Sequence, residues 1–423
     1  MKSAAKATFN YTIQQLGSFL FRIRNKTAPE HFTRSSYLGF ENTAILILNL
    51  IKKSAKVELM DFFYHFDKEL KIPSRQAFSQ AREKISYLAF KDLFEKTCEI
   101  TIIGEGARTY KGYRLYAVDG TTFAVGDFDK LSVYFGETTA LEDKAMCRIS
   151  AVVDILNECI ADAEVSPFCV GERALAISQT KKLKDVSNAL YIFDRGYWSP
   201  ELVSGIIQNN QKFLMRLASS AGKAVVTDAD GTTYPGCRDE QRSGFCSATS
   251  PLRRYSFVLL SGVTEVLLTN IPETEMSDDE LAALYAKRWG AETKYLELKD
   301  RLQIDKFSGE SVNVVLQDIY ATLYISNLVA FICFESDEEI KARVADKGNM
   351  YEQKTNRSTC ISTIRKRFID IALMNDTDMR NAALDRLCAD ISRDVIYIGK
   401  SKSRPRNKRH IKAARSMSFK ALL

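Results

Sequence analysis

Apolar residues recur at intervals of three and four up to about residue 104, which is the spacing of amphipathic helices. Helical patterns at residues 44–50 and 59–66 precede a break at Ile72-Pro73-Ser74, and a more polar helix is predicted at residues 75–84 with Ser74 as its N-cap. From residue 113 onward, short apolar runs at 114–118, 148–156 and 189–193 are typical of strands. Strands that alternate with helices indicate an α/β sheet.

The second half of the chain begins with a β-rich stretch and ends in helices. Turn and strand patterns without a long helix indicate a β-rich insertion at about residues 219–270. A helix is predicted from Ser277 to about Leu302, because Ser277 and Glu280 form a capping box at its start. Further helices are predicted at residues 312–334 and 361–374. We expect four segments: a helical N-terminal domain at 1–108, an α/β core at 109–310, a C-terminal helical region at 311–399 and a tail at 400–423.

The charge of the chain is concentrated in that tail. The 423 residues carry a formal charge of +7, and residues 400–420 contain nine Lys and Arg without an acid, so their removal leaves −2. Such a basic arm suits attraction to phosphates, since each contact releases a counterion. The candidate DNA contacts there are Arg404, Arg406, Lys408 and Arg409. A solvated tail without a partner is the alternative.

Several function classes find no support in the sequence. The nine cysteines form no CxxC pair and are typical of buried thiols in a reducing compartment. The three histidines, His31, His65 and His410, are isolated, so zinc catalysis is not indicated. The most apolar long stretch, residues 319–334, is 16 residues and shorter than the roughly 20 that span a bilayer. It predicts a buried helix of a cytoplasmic protein without a membrane partner.

The helix at residues 75–84 follows a short break, an arrangement that resembles a helix-turn-helix. It is predicted to expose five side chains that can contact base edges or phosphates: Arg75, Gln76, Ser79, Gln80 and Arg82. Many helical hairpins carry a polar face of this kind only because water covers it. DNA recognition and plain solvation are therefore both open for this helix.

Two aspartates occupy equivalent places in the predicted sheet. Asp119 follows the strand at 114–118, and Asp194 follows the strand at 189–193. Sheets of this class place their ligands at the carboxyl ends of the strands. A single Asp-Gly-Thr at a strand end more often caps a turn, so neither aspartate identifies a site alone.

A third acid lies in the helix predicted from Ser277. Tyr285, Arg288, Glu292 and Lys299 are spaced by 3, 4 and 7 residues, which places them within an arc of about 60° on a straight helix. This stripe could be the solvated face. Leu284, Trp289 and Leu296 flank it, however, and charges beside an apolar surface usually have a partner or a function.

Three carboxylates from separate elements suit the cleavage of a phosphodiester. Two divalent ions about 4 Å apart can activate water or a 3′-hydroxyl and stabilise the leaving oxygen. Magnesium prefers oxygen ligands and retains waters, so three carboxylates suffice. The candidate ligands are Asp119, Asp194 and Glu292.

The motifs Asp119-Gly120-Thr121 and Asp194-Arg195-Gly196-Tyr197, with Tyr-x2-Arg-x3-Glu-x6-Lys at residues 285–299, resemble those of a known family. They are similar to the DDE transposases of bacterial insertion sequences, specifically the family numbered four, and the match extends from about residue 113 to 309. The resemblance implies an RNase H-like catalytic core that a β-rich insertion interrupts before the glutamate helix. It also implies cut-and-paste transposition with Mg²⁺, or Mn²⁺ as a substitute, by a homodimer that pairs transposon ends on double-stranded DNA.

The resemblance also assigns roles to single residues. It implies that Asp119, Asp194 and Glu292 are catalytic metal ligands, and that Tyr285, Arg288 and Lys299 hold phosphates near the cleavage point. Hairpin-forming relatives stack a flipped base on a tryptophan of the insertion, whereas Trp198 and Trp289 of this chain both lie outside it. Three aromatics could substitute, although a role in the core is the commoner one for them: Phe213, Tyr255 and Phe257. The same role in the core is expected of Trp289.

Two other functions are compatible with these residues. A related nuclease with the same core would cleave DNA without joining strands. A DNA-binding protein with an unused site is the third interpretation, against which the complete triad argues. We expect an active bacterial transposase associated with the nucleoid.

Overall fold

The computed structural model describes residues 3–49, 55–64, 72–138, 144–217, 225–227, 233–235, 252–258, 264–345 and 351–399. The chain divides into two compact units. The first, called here the helical unit, comprises residues 1–106, 124–145 and 297–423, and the second, the sheet unit, comprises residues 107–123 and 146–296. The helical stretches near the two ends of the chain therefore belong to one unit.

The helices are numbered in chain order as follows: α1 Ala4–Gly17, α2 Phe19–Asn25, α3 Phe40–Leu48, α4 Ala55–Phe63, α5 Arg75–Glu83, α6 Leu88–Ile103, α7 Asp129–Phe135, α8 Glu172–Lys182, α9 Pro200–Gln208, α10 Asp278–Ala286, α11 Trp289–Leu296, α12 Val312–Val344, α13 Arg357–Ala372 and α14 Thr377–Ile391. A short 3₁₀ helix covers Arg195–Tyr197, and a π-helical turn covers Glu297–Arg301. The helices predicted at 44–50, 59–66 and 75–84 correspond to α3, α4 and α5, and the predicted N-cap is confirmed, since the Ser74 side chain accepts a hydrogen bond from the backbone N–H of Ala77.

The strands are β1 Arg114–Gly126, β2 Glu137–Thr138, β3 Lys144–Asp154, β4 Cys159–Pro167, β5 Ala189–Phe193, β6 Lys212–Leu217, β7 Val225–Thr227, β8 Thr233–Pro235, β9 Arg253–Val258, β10 Thr264–Thr269, β11 Glu352–Thr355 and β12 Val395–Ile398. Eight of them form one large sheet in the order β2-β3-β1-β5-β6-β10-β9, with β4 beside β3. β1, β5 and β6 pair in parallel, whereas β10 pairs antiparallel with both β6 and β9. The sheet is therefore mixed, and the α/β class is confirmed.

The first predicted strand is longer than expected. The strand was predicted to end at residue 118, but β1 continues to Gly126. Its pairing with β5 stops at Val118, opposite Phe193, and β1 also has β3 as a neighbour on its other side. Beyond Val118 the pairing partner of β1 in this sheet is β3, a neighbour that the apolar run at 114–118 does not reveal.

Much of the β-rich insertion predicted at about residues 219–270 lies outside the described residues. Strands β9 and β10 fall within the predicted stretch, and they extend the large sheet beyond β6. β7 and β8 form a separate antiparallel pair.

One face of the large sheet is covered by α10. Buried residues of four strands, among them Leu115, Leu190 and Leu214, form a single apolar cluster with Leu281 and Leu284 of α10. This packing also holds Tyr285, which is only 8% exposed, against the sheet. Burial of each large apolar side chain contributes roughly 1.5–3 kcal/mol, so α10 is fixed by its apolar stripe.

The helix predicted from Ser277 to about Leu302 begins as expected but is not continuous. The capping box of Ser277 and Glu280 is present, and it confirms the predicted start. α10 ends at Ala286, a turn at residues 287–288 follows, and α11 begins at Trp289. The predicted single helix is therefore interrupted at residues 287–288, although Arg288 still contacts both Tyr285 and Glu292.

The helical unit is built around α12. This helix of 33 residues packs against α1, α3, α6, α13 and α14. Among the described residues it is the one helix long and apolar enough to cross a membrane, and its apolar window is wholly buried inside the protein. A helix that is apolar on all sides forms the centre of a core, which confirms the buried helix predicted at residues 319–334.

Arg82 is not exposed, and this part of the prediction for α5 is wrong. Its side chain lies at the contact of α5 with α12 and the residue is 3% exposed. The guanidinium pairs with Asp318 at 2.9 Å and donates to the Gln317 side chain at 2.7 Å and to the Ser308 hydroxyl. An Arg held by so many acceptors in the interior is unavailable to DNA.

Candidate active site

Asp119 and Asp194 lie side by side at the same edge of the large sheet. In the parallel pair of β1 and β5, the last paired residues are Val118 and Phe193. Asp119 directly follows Val118, and Asp194 directly follows Phe193, so both aspartates lie just beyond the residues that pair β1 with β5. The two aspartates are therefore equivalent in the pairing of β1 with β5, but only Asp194 follows the end of its strand as predicted, because β1 continues through Asp119 to Gly126.

Asp119 is largely buried and weakly paired. One of its carboxylate oxygens accepts a hydrogen bond from the backbone N–H of Gly120 at 2.9 Å, and the other lies 3.9 Å from the Arg288 guanidinium. Burial raises the pKa of Asp119 to about 6, the carboxylates of Glu292 and Glu172 add to the rise, and Gly120 and Arg288 oppose it. A cation bound next to Asp119 would therefore favour the charged form of this carboxyl group.

Asp194 is surrounded by donors. Its Oδ1 atom accepts from the backbone N–H of Arg195 at 2.7 Å, lies 2.9 Å from the Arg216 guanidinium and accepts from the Tyr285 hydroxyl at 3.3 Å. Burial alone would raise the pKa of Asp194, but these donors outweigh it and the pKa lies below its ordinary value. The Arg216 guanidinium also pairs with Glu265 at 2.6 Å, so it bridges two acids.

Glu292 lies on α11, where Arg288 reaches it across one turn. The Arg288 guanidinium lies 2.9 Å from a Glu292 carboxylate oxygen. It lies over the Tyr285 ring at 6.0 Å from the ring centroid as well as facing Asp119. Arg288 thus lies between Glu292 and Asp119, and Tyr285 of the preceding helix α10 contacts Asp194.

The position of α11 is fixed by polar contacts from its own side chains. The Tyr295 hydroxyl donates to the backbone carbonyl of Asp119 at 2.7 Å, and the Lys294 ammonium donates to the carbonyl of Glu158 at 3.0 Å. Tyr295 is three residues from Glu292, so it lies on a neighbouring side of the same helix. Its hydrogen bond ties the glutamate helix to the backbone of the first aspartate.

Gly290 allows α11 to approach the sheet closely, and Gly290→Ala is expected to displace it. A Cβ atom at this position would lie 2.0 Å from the Cγ2 atom of Ile155. Overpacking of this kind costs about 1–3 kcal/mol, which urea-induced unfolding would detect.

Two further variants test this explanation. Gly205 lies inside α9 with no atom within 4 Å of its Cβ position, so Gly205→Ala is expected to be neutral or slightly stabilising. The double variant Gly290→Ala with Ile155→Ala removes the clashing methyl group and is expected to recover part of the lost stability. Equal unfolding curves for Gly290→Ala and the unmodified protein would show that α11 tolerates a wider spacing.

Arg216 is the site residue that the sequence patterns missed. It interrupts the apolar run of β6 and bridges Asp194 and Glu265. A charge within an apolar strand is costly unless it is paired. That single charge inside the strand was the available signal, but it does not specify the partner.

The acidic side chains suit a divalent metal ion chemically but are not gathered around one point. Carboxylate oxygens are the ligands that Mg²⁺ prefers. Within the part of the chain that the structure describes, no three His, Cys, Asp or Glu residues lie close enough to hold a metal ion. Arg216 on Asp194 and Arg288 between Asp119 and Glu292 neutralise the carboxylates in this arrangement.

Lys299 of the predicted signature lies in the π-helical turn after α11 and belongs to the helical unit. Burial lowers the pKa of its ammonium group, while Asp305 and Asp300 oppose the shift. Its role in phosphate binding stays a prediction.

The aromatic side chains that could stack a base differ in how far they are buried. Phe213 is fully buried in the core and is excluded as a stacking surface. Tyr255 and Phe257 stack on each other at 5.6 Å and pack against the core cluster in part. Trp289 is 52% exposed at the first position of α11, so the expectation that it is a core residue is wrong.

The predicted DNA contacts outside the site have different outcomes. Arg75, Gln76, Ser79 and Gln80 are exposed along α5 as expected. Arg82 is buried, as described above. The tail residues Arg404, Arg406, Lys408 and Arg409 lie outside the described residues.

A protein-family model matches the stretch of chain that contains the site residues. The family model described as transposase DDE domain matches residues 110–328, slightly more than half of the chain. This stretch contains Asp119, Asp194 and Glu292, together with Tyr285 and Arg288.

Three curated relatives match parts of the chain at low identity. A putative transposase y4zB of Sinorhizobium fredii is 30% identical over 190 residues, 42% of this chain and 50% of the relative. A putative transposase InsZ of Escherichia coli K12 is 26% identical over 174 residues, 38% and 56% of the two chains. The transposase InsG for insertion sequence element IS4 of the same strain is 21% identical over 283 residues, 62% of each. The chain thus spans between about half and two thirds of the lengths of these relatives.

One solved structure matches most of the chain at a low score. A piggyBac transposase synaptic complex with hairpin DNA matches with a TM-score of 0.46 and 10% identity, over 90% of this chain and 85% of the other. This similarity is too low to establish a shared fold.

Proposed function

The chain belongs to the transposase DDE domain family, and from this premise we propose that it is a DNA transposase that excises an insertion sequence and joins it to target DNA by cut-and-paste. The observation that carries the proposal is the junction of α11 with the sheet edge. There Arg288 faces both Asp119 and Glu292, and Tyr285 and Arg216 hold Asp194. Acids and phosphate-binding donors together are what phosphodiester chemistry requires.

Asp119, Asp194 and Glu292 would hold divalent metal ions, Mg²⁺ in the cell and Mn²⁺ as a substitute. When bound, such ions supply charge stabilisation at the attacking and leaving oxygens. All three side chains offer oxygen donors at one end of the sheet unit, and each retains part of its surface exposed to solvent. These observations support the assignment of the ligand set.

The cationic and phenolic groups of the site suit the DNA backbone. Guanidinium groups form two parallel hydrogen bonds with phosphate, and a phenol donates one. Arg288 and Arg216 both face the carboxylates with more than one nitrogen, and Tyr285 donates with its hydroxyl. We propose that these three residues, with Lys299, bind phosphates next to the scissile bond.

The finer assignments follow from the same premise. The core is proposed to be RNase H-like because of the order of its elements along the chain. The antiparallel pair β3 and β4 is followed by helix α8 and then by strand β5, which pairs in parallel with β1. The Tyr-Arg-Glu-Lys spacing at residues 285–299 supports membership of insertion-sequence family four. The helical stretch at 1–108, with Arg75 and Gln76, and the tail at 400–423 are proposed to bind double-stranded DNA, and a C-terminal helical region at 311–399 lies between the core and the tail in sequence. It would act in the bacterial cytoplasm as a homodimer on paired ends.

Trp289 is the proposed stacking surface for a displaced base. Its exposed indole is three residues from Glu292 on the same helix. Aromatic faces stack any base, with a contribution of about 1–3 kcal/mol.

A strand-transfer assay tests the proposed function. The full chain, Mg²⁺ and a duplex with the DNA sequence that flanks its gene are expected to give joined products on a target plasmid. A duplex with a scrambled terminal sequence is the control. Cleavage without joining would indicate the related nuclease, and binding without cleavage would indicate a protein whose site is unused.

A further inference from the structure

A cleft of about 890 Å³ opens in the helical unit, and none of the residues assigned to the candidate active site lines it. It lies between α1, the start of α3 and the segment that joins α13 to α14. Its volume is within the range of about 300–1,000 Å³ that sites for small molecules occupy. Volume alone does not make a site, so the charged and polar groups that border the cleft decide which ligand fits.

Arg380 of α14 borders the cleft with a buried positive charge. The residue is 5% exposed. Its guanidinium donates to Oδ1 of Asn10 at 3.0 Å, to the backbone carbonyl of Met374 at 3.1 Å and to the Thr377 hydroxyl at 3.2 Å. All three acceptors are neutral, and no carboxylate of the described residues forms an ion pair with Arg380. A buried charge without a counter-charge is costly, and a guanidinium has more N–H donors than these three bonds use, so donors remain for an anionic group.

Part of the role of Arg380 is structural. α13 ends at Ala372, and the Met374 carbonyl lies just beyond the negative end of its dipole, where a cation is favourable. The hydrogen bond to Asn10 also ties α14 to α1. These contacts explain a cation at a helix end, but they do not explain the second charge at the cleft.

Glu41, in the first turn of α3, borders the same cleft with a carboxylate. Partial burial raises the pKa of Glu41 above its ordinary value, and no cation of the described residues forms an ion pair with it. Glu41 and Arg380 thus border one cleft without pairing with each other. A ligand with an anionic group at one end and a hydrogen-bond donor at the other would compensate both charges.

Two side-chain amides at the cleft narrow the class of ligand. Gln14 of α1 and Asn375, between α13 and α14, border the cleft, and neither side chain forms a hydrogen bond within the described part of the chain. Amides pair with the edge of adenine, and carboxylates accept from an exocyclic amino group such as that of cytosine. A guanidinium suits phosphate. The groups around the cleft therefore match the two ends of a nucleotide.

We propose that the cleft binds a nucleoside phosphate whose base carries an exocyclic amino group, with the phosphate at Arg380 and the base at Glu41 and Gln14. The inference does not depend on the proposed function, because the cleft shares no residue with the candidate active site. A free nucleotide and a nucleotide within a single DNA strand offer the same chemistry, and the experiment separates these two sources.

Calorimetric titration of the full chain tests the inference with four small probes: adenosine monophosphate (AMP), uridine monophosphate (UMP), adenosine and inorganic phosphate. AMP is expected to bind, and UMP is expected to bind about tenfold more weakly because its base lacks the amino group. Adenosine is expected to bind about tenfold more weakly than AMP because it lacks the phosphate that Arg380 would hold. Single-stranded oligonucleotides of deoxyadenosine and of thymidine are titrated alongside.

Substitutions at the cleft locate the binding. Glu41→Ala and Gln14→Ala are each expected to weaken AMP binding about tenfold and to leave the melting temperature nearly unchanged, because neither side chain has a partner among the described residues. Arg380→Lys keeps the charge without the planar fork and is expected to weaken AMP and inorganic phosphate alike. Glu201, an exposed acid in the first turn of α9, provides the control, and Glu201→Ala is expected to bind AMP like the unmodified protein.

The outcomes separate a nucleotide site from simpler explanations. Equal affinity for AMP, UMP and inorganic phosphate would mean an anion site only and overturn the inference. AMP affinity that is unchanged in both Glu41→Ala and Gln14→Ala would overturn it too, and a lower melting temperature for Arg380→Lys would then mean a purely structural arginine.

The oligonucleotides identify the source of the nucleotide. If AMP does not bind, but the deoxyadenosine strand binds more tightly than the thymidine strand and loses this preference in Glu41→Ala, the ligand is a nucleotide of a DNA strand. No binding of AMP and equal binding of the two strands would overturn the inference. Strand transfer by the unmodified protein is measured separately, so a failure of the proposed function is distinguishable from each of these results.

Discussion

Glu292→Gln is expected to lower the rate of DNA cleavage by about three orders of magnitude or more, while DNA binding persists. Loss of a charged metal ligand forfeits several kcal/mol of charge stabilisation, and each 1.36 kcal/mol corresponds to tenfold in rate. The variant is expected to fold, because Glu292 is partly exposed and its pair with Arg288 is of the kind that contributes at most about 1 kcal/mol. Single-turnover cleavage and gel-shift binding with the same duplex measure the two effects.

The control for this variant lies on the preceding helix. Asp279 is an exposed acid in the first turn of α10, and Asp279→Asn is expected to cleave like the unmodified protein. If Glu292→Gln cleaved at the rate of Asp279→Asn, the assignment of Glu292 as a metal ligand would be refuted. If it failed to bind DNA, its defect would lie in folding or docking rather than in chemistry.

The parts of the site that depend on local sequence could be predicted. The strand at Ala189–Phe193 has the predicted limits, because a run of five apolar residues bounded by polar ones specifies a buried strand. The start of α10 follows from Ser277 and Glu280, which satisfy each other's backbone within one turn. In both cases the decisive interactions join residues that are close in sequence.

The shape of the glutamate helix could not be predicted in this way. Periodicity indicates a helix across residues 277–302 but does not reveal the turn at 287–288. The segment after the turn is held by Tyr295 on the carbonyl of Asp119, 176 residues away in sequence, and by the fit of Gly290 against Ile155. Tertiary contacts of this range override a regular pattern.

The same limit applies to charges whose partners are distant. The sequence did not identify the partners of Arg216 and Arg82, because Asp194 and Asp318 lie far from them in the chain or on another element. Arg216 lies in the candidate active site and Arg82 in the core of the helical unit. The exposure predicted along α5 is correct for four side chains and fails at Arg82, whose partners are distant in sequence.

Arg82→Met is expected to destabilise the helical unit by about 3–5 kcal/mol, since it leaves the buried Asp318 carboxylate without its cation. Hydrogen bonds to Asp318 from the backbone and side chain of Ser308 would remain. The lost donors also leave the Gln317 side-chain oxygen without its partner at 2.7 Å. Urea-induced unfolding followed by circular dichroism gives the change in the free energy of unfolding.

Arg75→Ala provides the contrast on the same helix. Arg75 is exposed at the first position of α5, so its replacement is expected to change stability by less than about 0.5 kcal/mol. If α5 contacts DNA, Arg75→Ala lowers DNA affinity and makes binding less sensitive to salt, because one phosphate contact is lost. A weaker DNA complex for Arg82→Met at full stability would contradict its role in the core, because a guanidinium that DNA can reach cannot also be enclosed by Asp318 and Gln317.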